Sequence, residues 1–241
     1  MRVNYRCKVG GKLTKIVDNL KQIEQHIANA KRASEFEQEV TVIAVTKAVS
    51  VARTKEALDA GIVNLGENRP EGLVAKQQDI SGNAIWHYIG TLQTRKVRQV
   101  INAIQYLHSL DRLSLATEIN KRATQPVKCF VQVNVSGEDS KHGLAANELI
   151  AFIKSLADMD KIEVVGLMTM APLDAEEQQI RNVFRELKQL QQQVAALQLP
   201  FAPCQELSMG MSNDYTIAIE EGATYVRIGT ALVGNESEEA K

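Results

Sequence analysis

Residues 40–50, VTVIAVTKAVS, decide how the rest of the chain is read. Val40 to Val45 are all β-branched or small and apolar, the pattern of a strand buried on both faces. Such a strand belongs in a parallel sheet covered by helices. The run then meets Lys47. Side chains alternate along a strand, so Thr41, Ile43, Val45 and Lys47 fall on one face. An ammonium on a core face is costly unless it is paired, neutralised or used covalently. The plainer alternative is a lysine just past the strand end, reaching water through its long stem.

Outward from this stretch the chain alternates. Upstream, Leu13, Ile16, Val17, Leu20, Ile23 and Ile27 recur at helical spacing and predict a helix over 13–34. Residues 1–11 read as a loose lead-in. Downstream, 52–60 reads as a helix stopped by Gly61, and 62–65 as a short strand running into Gly66-Glu67-Asn68. Pro70 suits the first turn of a helix to about 78. Strands follow over 85–89, 106–109, 127–135, 162–168, 205–208 and 225–228. Between them lie helices over 94–101, 111–123 (capped by Asp111), 147–157, 176–197 and 213–221. The stripe Ile180, Val183, Phe184, Leu187, Leu190, Val194 and Leu197 marks 176–197 as the clearest of these. Beyond Gly234 the tail NESEEAK reads as disordered.

Eight strands separated by helices mean parallel βαβ units. Eight in about 220 residues predict a (β/α)8 barrel, with a doubly wound open sheet as the alternative fold. No composition break divides the chain, so a single barrel domain over 1–241 is expected, with an ordered core over 13–234.

Composition narrows the function. The 241 residues carry a net charge of -1, so no global field draws in nucleic acid or membrane. The three cysteines, Cys7, Cys129 and Cys204, are far apart and show no CxxC pair. They make neither a disulfide frame nor a zinc site and suit a reducing cytosol. The start, MRVNYRCKVGGK, has no apolar core of a secretory signal, and no apolar run approaches the roughly 20 residues of a membrane helix. A cytoplasmic protein is expected.

In such a barrel the site lies at the C-terminal ends of the strands. The unusual residues fall there: Lys47 after strand 1, Gly66-Glu67-Asn68 after strand 2, Ser140-Lys141-His142-Gly143 after strand 5, and Met168-Thr169-Met170 after strand 6. Ser208 to Ser212 follow strand 7, and Arg227 to Thr230 follow strand 8. The last two turns predict a phosphate cradle. Small residues admit an anion to the backbone, Ser212 can cap a helix starting at Asn213, and Gly229-Thr230 adds N–H groups and a hydroxyl. A simple cap and a tight turn are the alternative. A lysine across a barrel mouth from a phosphate cradle points to a phosphorylated aldehyde held as a Schiff base. Pyridoxal 5'-phosphate is one such molecule; a sugar phosphate in an aldolase-like enzyme is another.

The ordered set VTK, GEN, HYIGTLQTRK, NVSGEDSKHG, GLMTM, LSMGMSND and VRIGTALVG resembles the YggS/PROSC family of pyridoxal-phosphate homeostasis proteins. The match runs from about residue 13 to 234. The resemblance implies the barrel of the alanine racemase N-terminal domain, with the extra N-terminal helix and without that enzyme's C-terminal β-domain. It also implies pyridoxal phosphate bound as an aldimine on Lys47. Met211, Ser212, Gly229 and Thr230 would line or bind the phosphate end. Asn68 would lie beside the ring or its hydroxyl, and Arg227 would face the pyridine nitrogen. Lys141 would be a second amine near the mouth, against the plainer reading of a solvated loop lysine. Arg69-Pro70 stands where many relatives have an aromatic residue, a change expected at the pocket rim only.

A guanidinium at the pyridine nitrogen disfavours its protonation and leaves a weak electron sink. The racemase also draws a second base from its C-terminal domain. The expectation is therefore a monomeric protein that holds and hands over pyridoxal phosphate, in intracellular vitamin B6 and amino-acid homeostasis, without efficient turnover. Pyridoxal-phosphate-dependent apoenzymes would be its recipients. The alternative is a racemase- or lyase-type enzyme acting on an amino acid. It would need a general base, and the histidine candidates are His87 and His142. His87, between Trp86 and Tyr88, reads as a hydrogen-bonded structural residue, and His142 as an exposed loop residue. Arg95, Lys96 and Arg98 could serve nucleic acid but read as a solvated face.

Overall fold

The structure is a computed structural model and describes residues 15–138 and 142–236. The predicted lead-in, Cys7, Lys141 and the end of the tail lie outside the described residues. Eight strands alternate with helices: β1 (Thr41–Val45), β2 (Asn64–Glu67), β3 (Ile85–Tyr88), β4 (Tyr106–Leu110), β5 (Val127–Asn134), β6 (Ile162–Met168), β7 (Glu206–Met211) and β8 (Tyr225–Ile228). Each pairs in parallel with the next, β4 pairs with β5, and β1 pairs with β8. The sheet thus closes on itself, which decides for the barrel over the open sheet. A two-residue strand, Leu144–Ala145, adds to the end of β5.

Nine helices are described: α1 (Lys15–Ala33), α2 (Val51–Asp59), α3 (Pro70–Asp79), α4 (Val97–Val100), α5 (Leu113–Arg122), α6 (Leu149–Ser155), α7 (Glu177–Ala195), α8 (Tyr215–Glu220) and α9 (Thr230–Val233). Their apolar stripes cover the outside of the barrel. On α7, Val183, Phe184, Leu187, Leu190 and Val194 are buried. Each such side chain contributes roughly 1.5–3 kcal/mol relative to leaving it in water. α1 lies outside the βα repeat and leans on α8 and α9. Its Asn19 amide donates to the Leu232 carbonyl at 2.9 Å, and His26 meets the Tyr215 hydroxyl at 2.7 Å.

Rings fill the bottom of the barrel. His87 stacks on Tyr106 and His108 on Phe130, each pair at 4.4 Å between centroids, and Tyr225 stands edge-on to Phe130 at 5.3 Å. Tyr106 and Tyr225 open their strands, so this plug closes the N-terminal end.

Several elements differ from expectation. β2 lies two residues later than predicted, because Gly66 packs inward on β1, where an added Cβ would stand 2.9 Å from Ile43 Cγ2. Its Glu67 is buried and paired rather than a loop residue. β7 runs on to Met211, and the following helix starts at Tyr215 rather than Asn213. The helix over 94–101 is a 3-10 turn, one α turn and another 3-10 turn. Asp111 does not cap α5: Arg112 holds that position, and the Asp111 carboxylate pairs with the Arg112 guanidinium instead. The start of the tail is held in place: the Glu236 carboxylate accepts from the Ser50 N–H and hydroxyl at 2.6 and 2.7 Å.

Candidate functional site

A cavity of about 370 Å³ lies at the C-terminal ends of the strands. Lys47, Asn68, Met211, Ser212, Arg227, Gly229 and Thr230, the seven residues singled out from the sequence, all line it. They come from the ends of β1, β2, β7 and β8, so only barrel closure brings them together.

Lys47 is not the end of a strand. β1 stops at Val45, and the Thr46 carbonyl accepts the Val49 N–H at 3.1 Å, which starts a turn. The expectation that Lys47 closes the inner face of β1 is corrected accordingly. The lysine lies past the strand and is exposed, yet it still borders the cavity. Its ammonium has no protein partner among the described residues. The plainer reading, a lysine just past the strand end that reaches water, is the one that describes it.

Ser212 does not cap a helix. Its hydroxyl accepts the Gly229 N–H at 3.3 Å, which ties the turn after β7 to the turn after β8. Met211 and Asp214 close the first of these turns on each other. The Met211 N–H donates to Asp214 Oδ1, and the Asp214 N–H donates to the Met211 carbonyl at 3.2 Å. Gly210 permits this reversal, with φ at 90° and the site of its missing Cβ 2.6 Å from Ala218 Cβ. The N–H groups of Ser212, Asn213 and Thr230 are left without an acceptor among the described residues. Together with the Ser212 and Thr230 hydroxyls they form a donor set that suits a phosphate.

Arg227 forms the floor. Its side chain is 5% exposed. One guanidinium nitrogen donates to Ser208 Oγ at 2.6 Å and another to the Thr169 carbonyl at 3.1 Å. Burial lowers its pKa to about 10, against the pull of Asp214, so it stays charged at neutral pH. Burial likewise raises the Asp214 carboxyl above its ordinary range, opposed by its bond to Met211 and by Arg227.

Beneath Arg227 a chain of buried hydrogen bonds crosses the barrel. Ser208 Oγ meets His108 Nδ1 at 2.8 Å, His108 Nε2 meets His87 Nδ1 at 3.0 Å, and His87 Nε2 meets Asn64 Oδ1 at 3.0 Å. A carbonyl oxygen only accepts, so His87 Nε2 carries a proton and His87 Nδ1 accepts. His108 then donates from Nε2 and accepts at Nδ1 from the serine hydroxyl, whose oxygen accepts from Arg227. Every proton has one place, with both imidazoles neutral. Burial drives the same way: it lowers His87 to about 3, and it lowers His108 well below its usual value, helped by His87 and Arg227. His87 is therefore the structural residue expected, and neither ring offers a free general base.

The remaining candidates lie elsewhere. His142 is exposed and its carbonyl accepts from Gln132 at 3.1 Å. Arg69 and Pro70 open α3 and do not line the cavity. Lys96 pairs with Glu71 at 2.8 Å and Arg95 donates to Gln93 at 3.0 Å, as a solvated face would. Sequence reading placed Met170 at the site but missed Asp214, the relay through Ser208 and His108, and the apolar wall that Ile89, Pro172 and Leu173 build with it. Asp214 ends the LSMGMSND motif, which was the available signal; a serine and a histidine inside strands gave none.

The profile of the alanine racemase N-terminal domain matches residues 18–237. The pyridoxal phosphate homeostasis protein of Aquifex aeolicus is 35% identical over 224 residues, covering 90% of this chain and 96% of that protein. Its Escherichia coli K12 namesake is 34% identical over 227 residues, covering 91% and 96%. The solved structure of PipY from Synechococcus elongatus with PLP bound superposes with a TM-score of 0.80 at 29% identity, covering 91% of this chain and all of that one. An alanine racemase of Clostridium difficile shares the fold at a TM-score of 0.72 and 15% identity, covering 89% of this chain and 56% of that one. With a matching profile over nearly the whole chain and relatives matched almost end to end, the chain belongs to the pyridoxal phosphate homeostasis protein family, on the fold of the alanine racemase N-terminal domain.

Proposed function

We propose that this chain binds pyridoxal 5'-phosphate and takes part in intracellular vitamin B6 and amino-acid homeostasis as a carrier. The observation that carries this reading is the make-up of one cavity: a free amine, a buried guanidinium and a set of unpaired phosphate donors. The donor set fits the group. In the proposed complex Ser212, Gly229, Thr230 and the Met211 turn hold the phosphate, Asn68 borders the ring or its hydroxyl, and Arg227 faces the ring nitrogen. Lys47 holds the aldehyde carbon as a Schiff base, with loss of one water. The bound cofactor supplies a reactive aldehyde and an electron-withdrawing ring. The names of the relatives and the PLP-bound PipY support the assignment.

Carriage rather than turnover rests on Arg227. A charged guanidinium opposes protonation of the ring nitrogen, and among the described residues the one carboxylate lining the cavity is Asp214, which is engaged with Met211. The reading extends to a cytoplasmic monomer that delivers to apoenzymes. Two buried free thiols, Cys129 and Cys204, suit a reducing compartment, and the stripe of α7 is used up against the barrel. The test is a spectrum of the purified protein loaded with pyridoxal phosphate. A band at the visible–ultraviolet border, lost in Lys47→Ala, is expected. Its survival in that variant would refute the attachment, and steady amino-acid turnover at ordinary enzyme rates would refute the carrier.

A further inference from the structure

Lys47 is exposed, yet the peptide bond before it is tightly held. Thr46 is fully buried. Its N–H donates to the Gly66 carbonyl at 3.0 Å and its hydroxyl to Glu67 Oε1 at 2.6 Å. Its carbonyl accepts both the Val49 N–H and the Lys76 ammonium. Lys76 also pairs with Glu67 Oε1, and both side chains are nearly inaccessible to water. None of these three residues lines the cavity. Val45 does, so alternation turns Thr46 to the opposite side of the wall, between the barrel and α3.

A buried ion pair is a costly way to attach a helix. Two apolar side chains of similar volume commonly pack as well or better. What the pair does that apolar residues cannot is grip a carbonyl oxygen. That carbonyl belongs to the first residue of the Thr46–Val49 turn, in which Lys47 comes second. The orientation of its peptide plane decides where Cα of Lys47 sits and in which direction the side chain leaves. A long flexible side chain finds its target only if its root is fixed.

We propose that Glu67 and Lys76 are positioning residues for Lys47, clamping the Thr46 carbonyl from behind the barrel wall so that the amine is rooted over the cavity. The inference rests on the reading of Lys47 as the amine that meets the aldehyde. Its test uses the full chain, with Lys76→Met and the double variant Glu67→Gln/Lys76→Met, which leaves no unpaired charge if the single change fails to fold. Lys76→Arg is the conservative rescue.

Two measurements are needed. In the unloaded protein, the rate of Lys47 acetylation relative to other exposed lysines, mapped by mass spectrometry, reads the amine directly. With pyridoxal phosphate, the growth of the absorption band and the fraction trapped by borohydride read its encounter with the aldehyde. Removal of the Lys76 ammonium is expected to slow band growth by about 10- to 100-fold. Phosphate-end binding should remain, the rate of Lys47 acetylation in the unloaded protein should change while that of other exposed lysines does not, and arginine should restore part of the rate of band growth. A folded Lys76→Met or double variant with wild-type band growth and acetylation overturns the proposal. Wild-type protein that forms no band at all would instead sink the reading of Lys47 on which the proposal stands.

Discussion

Arg227 shows how much one side chain asks of its surroundings. A buried guanidinium needs acceptors, and here they are one hydroxyl and one backbone carbonyl. The hydroxyl of Ser208 is the hinge of the arrangement, since it accepts from Arg227 and donates to His108. Ser208→Ala removes both bonds and leaves a buried donor and a buried acceptor unsatisfied. Each such group costs about 1–3 kcal/mol. The variant should melt several degrees lower, and its bound cofactor should show a displaced absorption maximum as Arg227 shifts. A thermal scan and a spectrum decide this; an unchanged melting temperature would show that the serine is not in the chain of bonds. Arg227 itself was legible from the sequence through strand parity and the VRIGTALVG motif. Its support was not, because a histidine and a serine on separate strands carry no common signal until the barrel closes.

Among the elements, β7 and the turn after it matter most for the phosphate end. One residue before its end the strand holds a left-handed glycine, Gly210, against the start of α8. Alanine in that backbone conformation costs roughly 1–2 kcal/mol before any clash. Its Cβ would also press on Ala218, so the Met211–Asp214 turn would have to open. Gly210→Ala is therefore expected to destabilise the protein and to weaken cofactor affinity by about tenfold or more, since each 1.4 kcal/mol is a factor of ten. Acetylation of Lys47 should stay normal, because the lysine is on another strand. Titration with pyridoxal phosphate and the same acetylation assay check both halves. Element types were readable from hydrophobic period: the stripe of α7 and the apolar run of β1 fall where expected. Boundaries near the site were not. β2 lies two residues later than expected because Gly66 and Glu67, poor strand formers, are in the strand, and the start of α8 is set by the Met211–Asp214 ring rather than by Ser212.

At the scale of the whole molecule, the closed barrel encloses two neutral imidazoles. Unfolded histidines titrate near 6.5, while His87 is lowered to about 3 by burial and His108 is lowered as well. The unfolded chain thus binds more protons below that pH, so stability is complete above about pH 6.5 and declines as the solution is acidified. Between pH 7 and 5 the loss from His87 should be about 2 kcal/mol, and His108 adds to it in the same direction. Urea unfolding at the two pH values measures it, and His87→Phe/His108→Phe should flatten the dependence; a flat wild-type profile would mean that the pair is solvated or charged. The sequence by itself determined the parallel strand–helix alternation, the outward stripes of the helices and the residues of the two small turns, because these follow from local periodicity and from short motifs. Tertiary structure alone decided that the sheet closes through β8 and β1, that Ser212 meets Gly229, and that Lys76 reaches behind the wall to the peptide that carries Lys47. Those contacts join residues far apart in the chain, and their energies arise only when burial removes water from the groups that must then satisfy one another.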